Sequence, residues 1–322
     1  MVTIVLAIMI VIASLASPYF LDSYNLQALV RDLAFIGMIA IGQSLLLIIG
    51  ELDLSVGRIA SLCGIFSGML MMQAKFDPYL SIAIALVTGL LLGIINGSII
   101  TFLRLNSMVV TIGMSGVYGG INLVLTKGKA ITGIPKQIHF LGKENLFGIP
   151  IPFIITLVIL VLVTFLVLKT KTGRYMYAIG NNREAARILG IRTGKVRIFV
   201  YAVVGLISAV AGVLYVARLG SAQSSIGDAW PMNSIASSVI GGVALTGGIG
   251  NPAGALVGAA IISIIQNMIV LLGVNVYWQS AVSGFVVVLA ISFSSISMML
   301  GERKNRLDKQ KQLHQDLNQS DV

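Results

Sequence analysis

The sequence predicts an all-α integral membrane protein with about ten transmembrane helices, and three observations lead to that fold class. Of the 322 residues, 57% are hydrophobic and 11% are charged, whereas an ordinary soluble domain has roughly 25% charged residues. Apolar runs without charge, long enough for a helix that crosses a membrane in about 20 residues, recur along the chain. The period-2 alternation of a transmembrane β-barrel is not visible. A soluble fold is therefore excluded.

Uncharged runs define the predicted spans in order. The first seven are Met1–Leu21, Leu33–Gly50, Ile59–Ala74, Pro78–Leu103, Leu105–Thr126, Asn145–Leu168 and Ile198–Ala217. The stretch from 229 to 301 then runs for 73 residues without a charged side chain. Pro252, Gly254 and the patch from 273 to 277 divide this stretch into three segments, because Pro and Gly interrupt regular helix. The total is ten spans.

Basic residues indicate the orientation of these spans. The net charge is +10, but Lys and Arg lie in short loops and a tail rather than in an aromatic-interleaved patch, so a nucleic-acid partner is not expected. With a cytoplasmic N-terminus, the loop 169–197, the tail 302–322, Arg58 and Arg104 face the cytoplasm and carry 15 of the 22 Lys and Arg residues. This agrees with the positive-inside rule. We expect both termini to be cytoplasmic.

Two further features concern organisation and energy source. Gly89 to Gly93 and Ser98 align with Gly254 to Gly258 and Ser263 at a constant offset of 165, which predicts two pseudo-repeats of the kind common in transporters. No GxxxxGK[ST] phosphate loop occurs. Any ATP-driven step therefore requires a separate subunit, and we predict that this chain is not itself an enzyme.

A charged stretch, Gly50 to Arg58, interrupts two apolar runs. If it lies at membrane depth, Glu51, Asp53 and Arg58 must face partners or a cavity, because charge is costly there. Glu51 and Arg58 are seven residues apart and could share a helix face. The alternative is a cytoplasmic turn in which Asp53 or Ser55 caps a helix that begins near Val56.

A second polar stretch predicts a short helix from Asn182 to Gly190. Asn182 is the N-cap, Glu184 lies in the first turn and Gly190 is the C-cap. Isolated between spans, this helix is expected to bind a partner subunit, with apolar contacts and a charged rim. The predicted contact residues are Asn182, Arg183, Glu184, Ala185, Ala186, Arg187, Leu189 and Gly190. The alternative is a helix held at the surface by anionic lipid.

Three motifs carry a family resemblance. Gly50 to Gly57 resembles the GGIDLSVG signature of permeases in the ribose, xylose and galactose group of ATP-binding-cassette importers, although Glu51 replaces the usual Gly. Tyr177 to Ile191 resembles that family's cytoplasmic loop, whose short helix docks on the ATPase. The third motif, the stretch from Val239 through Gly248 and on to Tyr277, Trp278 and Gln279, resembles the family's Gly-rich C-terminal half. The resemblance extends from about Phe20 to Ile291.

The resemblance implies a type II importer-like permease domain over residues 1–301, in the bacterial inner membrane. The implied partners are an ATPase subunit with two fused cassettes, a periplasmic or lipid-anchored sugar-binding protein, and a second copy of the chain or a homologous permease. It implies no cofactor and no metal. The candidate residues of the substrate pathway are Glu51, Asp53, Ser55, Asn96, Ser238, Thr246, Gln266 and Asn267.

Other functions remain open from the sequence. Related permeases carry nucleosides, branched-chain amino acids or sugar-derived autoinducers. A secondary transporter that acts alone would need coupling-ion ligands within the spans, for which only Glu51 and Asp53 could serve. An intramembrane enzyme would need a nucleophile and base or a metal motif, and the sequence has neither. A monosaccharide permease is the favoured interpretation.

Overall fold

The computed structural model describes residues 2–275, 277–279, 281, 282, 284, 285, 288, 289 and 292. Its helices are α1 Val2–Ala16, α2 Ser23–Ile48, α3 Val56–Met72, α4 Pro78–Phe102, α5 Ser107–Thr126, α6 His139–Lys143, α7 Ile151–Lys169, α8 Lys171–Asn181, α9 Arg183–Ile188, α10 Thr193–Leu219, α11 Trp230–Ile240 and α12 Pro252–Leu271. The strands, of two residues each, are β1 Ile131–Thr132, β2 Asn145–Leu146, β3 Ile149–Pro150 and β4 Ser221–Ala222.

The helical membrane fold predicted from composition is confirmed. Within the described ranges, six helices are long and apolar enough to cross a membrane: α2, α4, α5, α7, α10 and α12. Helices α1 and α3 are shorter apolar helices, and α11 has only 11 residues. The end of the last predicted span and the tail 302–322 lie outside the described residues.

Polar N-caps set the first residue of several long helices. Asp22 accepts a hydrogen bond from the Tyr24 backbone N–H at the start of α2, and Asp77 caps α4 with Pro78 at its first position. Asn106 and Asn251 cap α5 and α12 in the same way. Each cap accepts a hydrogen bond from an N–H group that the helix itself cannot pair. The helices therefore begin where a polar side chain meets an apolar run.

Two boundaries differ from those expected from charge alone. Helix α2 begins at Ser23, ahead of Leu33, and includes Arg31 and Asp32 in its first half. The uncharged run therefore understated the length of this helix. Helix α7 begins at Ile151 rather than Asn145, because residues 145–150 form the β2–β3 hairpin. Apolar loop residues were thus counted as part of a span.

Helices α2 and α10 form the centre of the bundle. Helix α10 packs against α3 and α4, whereas α2 packs against α11, α12 and α7. Glycine permits the closest approaches: a Cβ at Gly93 would overlap the Tyr201 carbonyl, and one at Gly258 would overlap the Ser237 carbonyl. Small residues let helix backbones touch in this way. Gly93 and Gly258, which belong to the two glycine motifs aligned in the sequence, therefore have a role in helix packing.

Each central helix is followed by a non-helical segment that turns back into the bundle. We call residues 49–55, after α2, the first return segment, and residues 220–229, after α10, the second return segment. The first enters the bundle beside α5, where the Leu54 N–H donates to Thr111 Oγ1 (3.1 Å). The second approaches the first turn of α3, directly after the first return segment, where Gly57 contacts Gly227. Irregular backbone at membrane depth is tolerated only where protein buries it or a cavity adjoins it.

Candidate functional site

The first return segment is held by a buried polar network. Asp53 Oδ1 accepts hydrogen bonds from the Ser55 N–H (2.7 Å) and hydroxyl (2.6 Å). Asn96 Nδ2 donates to Ser55 Oγ (2.8 Å), and the Tyr118 hydroxyl donates to Asn96 Oδ1 (2.8 Å). All four side chains are buried. The network joins the segment to α4 and α5, and the Ser55 side chain makes no helix-capping bond.

Glu51 is buried against two arginines from the loop that contains α9 and from α10. Only 5% of Glu51 is exposed, and its Oε1 pairs with Arg183 Nη2 and with Arg197 Nε (2.6 Å). Burial of a carboxylate requires such compensation. Because Arg183 is the first residue of α9, the ion pair connects α9 directly to the first return segment. Glu51 itself is not among the residues that line the cavity described below.

Arg58 and Glu51 do not share a face, so that expectation was wrong. Arg58 Nη1 instead pairs with Asp228 in the second return segment (2.8 Å) and donates to the Ser224 carbonyl (3.0 Å). The reason is that residues 51–55 are not helical. A spacing of seven residues therefore does not place the two side chains on one helix face. Arg58, in the first turn of α3, thus links α3 to the second return segment.

Helix α9 forms where the sequence placed it but is shorter. Asn182 caps it as predicted, its Oδ1 accepting from the Ala185 N–H (3.0 Å). The helix ends at Ile188, and Gly190 follows in the left-handed region (φ 81°) rather than serving as the C-cap. That conformation suits glycine.

The exposed face of α9 is also different from the expected one. Ala186 is 2% exposed and packs into its own chain, so its predicted role as a partner contact is wrong. Ile188 and Leu189, at 86% and 78% exposed, present the apolar surface instead. Ile188 was missed, although an isoleucine in a polar loop is a visible signal. Ala185, Arg187 and Glu184 are also exposed.

A cavity of about 840 Å³ opens at the other end of the central helices. Its walls are the start of α2, the end of α10, the second return segment, the start of α11 and the end of α12. Helix α2 has 26 residues, about 39 Å at 1.5 Å per residue, which separates the cavity from the α9 end. We call this space the distal cavity.

Three aromatic rings form one wall of the distal cavity. Phe35 and Trp230 are stacked with centroids 6.0 Å apart, and Tyr215 meets both edge-on at 4.8 and 5.5 Å. The Arg218 guanidinium lies 5.5 Å from the Phe35 ring and pairs with Asp32. Mutual packing of this kind fixes ring orientation.

Amide and hydroxyl groups line the rest of the distal cavity. Asn25 and Asn267 exchange reciprocal amide hydrogen bonds (3.1 and 2.8 Å), and Gln266 is also among the lining residues. Asn233 and Ser263, each 3% exposed, line the cavity too. Asn233 Oδ1 and Ser263 Oγ have no hydrogen-bond partner in the described part of the chain.

The eight candidate pathway residues thus fall into separate places. Glu51, Asp53, Ser55 and Asn96 lie around the first return segment, whereas Gln266 and Asn267 lie in the distal cavity. The Ser238 hydroxyl donates to the Ser234 and Ala40 carbonyls and so joins α11 to α2. Thr246 lies in the turn after α11, beside Gly50. Their assignment to a pathway stays a prediction.

Comparison with known proteins identifies the family. Residues 25–291 match the model of the family described as branched-chain amino acid transport system / permease component. The chain is 37% identical over 289 residues to the ribose import permease protein RbsC of Bacillus subtilis, covering 89% of each chain. It is 37% identical over 273 residues to the autoinducer 2 import system permease protein LsrC of Yersinia enterocolitica, covering 84% of this chain and 75% of that one.

No solved structure matches the chain. The family model nevertheless covers most of the sequence, including both return segments, α9 and α12, and the two relatives are each aligned over more than four fifths of it. The chain therefore belongs to this family of permease components of ATP-binding-cassette import systems.

Proposed function

We propose that this protein is the permease subunit of an importer for a monosaccharide, driven by a separate ATPase subunit. The observation that carries the proposal is α9, a capped helix with two exposed apolar residues and a direct ionic connection to a buried segment of the bundle. A membrane subunit that receives motion from an ATPase needs both an outward contact surface and an inward connection. Helix α9 supplies the first through Ile188 and Leu189, and the second through Arg183.

We assign the α9 end of the bundle to the cytoplasm. The loop from 169 to 197 that contains α9 carries eight of the 22 Lys and Arg residues, which the positive-inside rule places there. Both termini are then cytoplasmic, the protein lies in the bacterial inner membrane, and the distal cavity opens toward the outside.

We also propose ten spans arranged as two repeats. In support, α2 and α10 are each followed by a return segment, a shorter helix and a glycine-containing long helix. Each central helix packs against the shorter and long helices of the other half: α2 against α11 and α12, and α10 against α3 and α4. This reciprocal packing agrees with the offset of 165 residues between the two glycine motifs.

The proposed partners follow from the relatives and the motifs. They are an ATPase subunit with two fused cassettes, an external sugar-binding protein, and a second copy of this chain or a homologous permease, within membrane lipid. A monosaccharide is favoured because one relative is named for ribose import. An autoinducer 2-like, sugar-derived solute is the second candidate, since other relatives are named for that import system.

Substitution of the exposed apolar pair tests the ATPase contact. Ile188→Asp together with Leu189→Asp places two charges on the proposed interface without altering the buried Ala186. We expect loss of copurification with the co-expressed ATPase subunit while the permease remains in the membrane. Phe147→Asp is the matched control, because Phe147 is 93% exposed in the β2–β3 hairpin, away from α9. Retained copurification of the double variant would refute the assignment of α9.

A further inference from the structure

Two buried side chains that line the distal cavity carry oxygen atoms that play no part in the proposed ATPase coupling. Asn233 Oδ1 on α11 and Ser263 Oγ on α12 both lack hydrogen-bond partners among the described residues, although each side chain is more than nine-tenths buried. Buried polar atoms are nearly always paired, and an unpaired one is costly. Both side chains line the same cavity. They therefore indicate a ligand that hydrogen-bonds to both.

The aromatic wall indicates the shape of that ligand. Trp230 is the ring that joins the second return segment to α11, the helix that also carries Asn233. Phe35 and Tyr215 pack against Trp230 and hold its orientation. Sites for small molecules combine such apolar surfaces with a few placed polar groups. A compact ligand with an apolar face and a hydroxyl-bearing edge fits this arrangement.

The charges of the lining select against anions. The charged lining residues in the described part of the cavity are three aspartates, Asp22, Asp32 and Asp228. Arg218 and Arg58 lie outside the lining and pair with Asp32 and Asp228. Among the described lining residues, a phosphate or carboxylate ligand would meet aspartates and no cationic side chain. Neutral hydroxyl groups, which donate to carboxylates and accept from amides, match the lining.

We propose that the distal cavity is a binding site for one neutral monosaccharide inside the permease, with Asn233 and Ser263 as hydrogen-bonding groups and Trp230 as the apolar surface. The site rests on the proposed function, since it specifies where that solute pauses after release from the binding protein. Its volume of about 840 Å³ lies within the roughly 300–1,000 Å³ typical of small-molecule sites.

Tryptophan fluorescence provides a direct test, because the chain has two tryptophans, Trp230 and Trp278. In full-length permease carrying Trp278→Phe, reconstituted in lipid nanodiscs without binding protein, Trp230 is the single reporter. D-Ribose, D-xylose and D-galactose are titrated separately, with L-leucine as the non-sugar comparison. We expect a saturable signal for at least one sugar, with a midpoint near millimolar, and none for L-leucine.

Two variants and a matched control complete the test. Asn233→Ala and Ser263→Ala should each raise the midpoint about two- to ten-fold, the loss expected for one hydrogen bond. Asn122→Ala should not, because Asn122 Oδ1 is also buried and unpartnered among the described residues but does not line the cavity. If Asn233→Ala does not fold, the comparison of the Ser263→Ala midpoint with the Asn122→Ala midpoint tests the site.

The absence of a saturable signal for all three sugars, or equal midpoints for Ser263→Ala and Asn122→Ala, would overturn the site. The proposed function has a separate test, since ATP-driven uptake of the same sugars by the complete complex does not require a site in this cavity. If the complete complex transports a sugar that the permease alone does not bind, the cavity assignment is wrong and the proposed function is unaffected.

Discussion

The two ends of the central helices carry contrasting polar groups. At the α9 end, Glu51 is buried but its charge is compensated by Arg183 and Arg197, and the neighbouring Asp53 is held by Ser55. At the distal end, Asn233 and Ser263 line a cavity and carry oxygen atoms without hydrogen-bond partners among the described residues. The first arrangement fixes one part of the chain to another. The second leaves hydrogen-bonding capacity for something that enters.

The difference indicates a division of labour along the bundle. A connection that transmits motion must be stiff, and a buried ion pair with two donors provides stiffness at a high desolvation cost. A site that releases its solute must bind weakly, and neutral amides and hydroxyls suit that purpose better than unpaired charges. Substitutions at the two ends should therefore differ in their effects on stability and transport.

The largest effect is expected for Glu51→Gln. Removal of the carboxylate leaves Arg197, whose side chain is only 13% exposed, without its anionic partner, and breaking a buried pair in this way costs about 3–5 kcal/mol. We expect a clear fall in thermal stability of the purified permease in detergent. Glu184→Gln is the control, because the Glu184 side chain is 74% exposed and, within the described part of the chain, its ion pair is with Arg187 alone. Equal stability of the two variants would show that the Glu51 pair is not structural.

A smaller loss is expected for Asn96→Ala in the same half of the bundle. The change removes the acceptor of the Tyr118 hydroxyl and the donor to Ser55 Oγ, while the Ser55 hydroxyl keeps its bond to Asp53. Loss of the partner of a buried polar group costs about 1–3 kcal/mol. Thermal unfolding of this variant can be compared directly with that of Asn233→Ala. Because Asn233 Oδ1 has no hydrogen-bond partner among the described residues, Asn233→Ala should unfold closer to wild type, and the reverse order would contradict the comparison.

The smallest effect is expected for Asp32→Asn at the distal end. Asp32 pairs with Arg218, but its side chain is 56% exposed, and exposed ion pairs contribute about 0–1 kcal/mol. The same thermal assay should place this variant within about 1 kcal/mol of wild type. A loss as large as that of Glu51→Gln would mean that both ends are held by equivalent ion pairs.

Some of this contrast follows from sequence and some does not. Uncharged runs and caps such as Asp77 and Asn182 predict helices because their effects act over a few residues. The partners of Glu51 lie 132 and 146 positions away, and their pairing depends on how α9 and α10 pack. Spacing within 51–58 was misleading because that segment is not helical. Apolar runs alone predicted ten spans without distinguishing a crossing helix from the short α11.

The residues of the candidate site were also only partly recognisable from the sequence. Gln266 and Asn267 were recognisable because polar amides are unusual in a long apolar run, and both line the distal cavity. Asn233 and Ser263 were not, since the sequence does not show whether a serine in a helix bonds to its own backbone, as Ser237 does, or faces a cavity. The packing of α11 against α12 brings these residues to the same cavity, and such tertiary placement is not visible in the local sequence pattern.

In the proposed mechanism, Arg183 connects the ATPase contact to the first return segment, and the variant Arg183→Gln removes this connection. Glu51 keeps Arg197 as a partner in this variant, so the complex should still assemble. With the complete complex in proteoliposomes, sugar uptake and ATP hydrolysis are measured together, and Arg187→Gln serves as the control because Arg187 pairs only with Glu184 on the same helix. We expect Arg183→Gln to hydrolyse ATP while transporting several-fold less sugar per ATP than the control. An unchanged ratio of sugar transported to ATP hydrolysed would contradict this account.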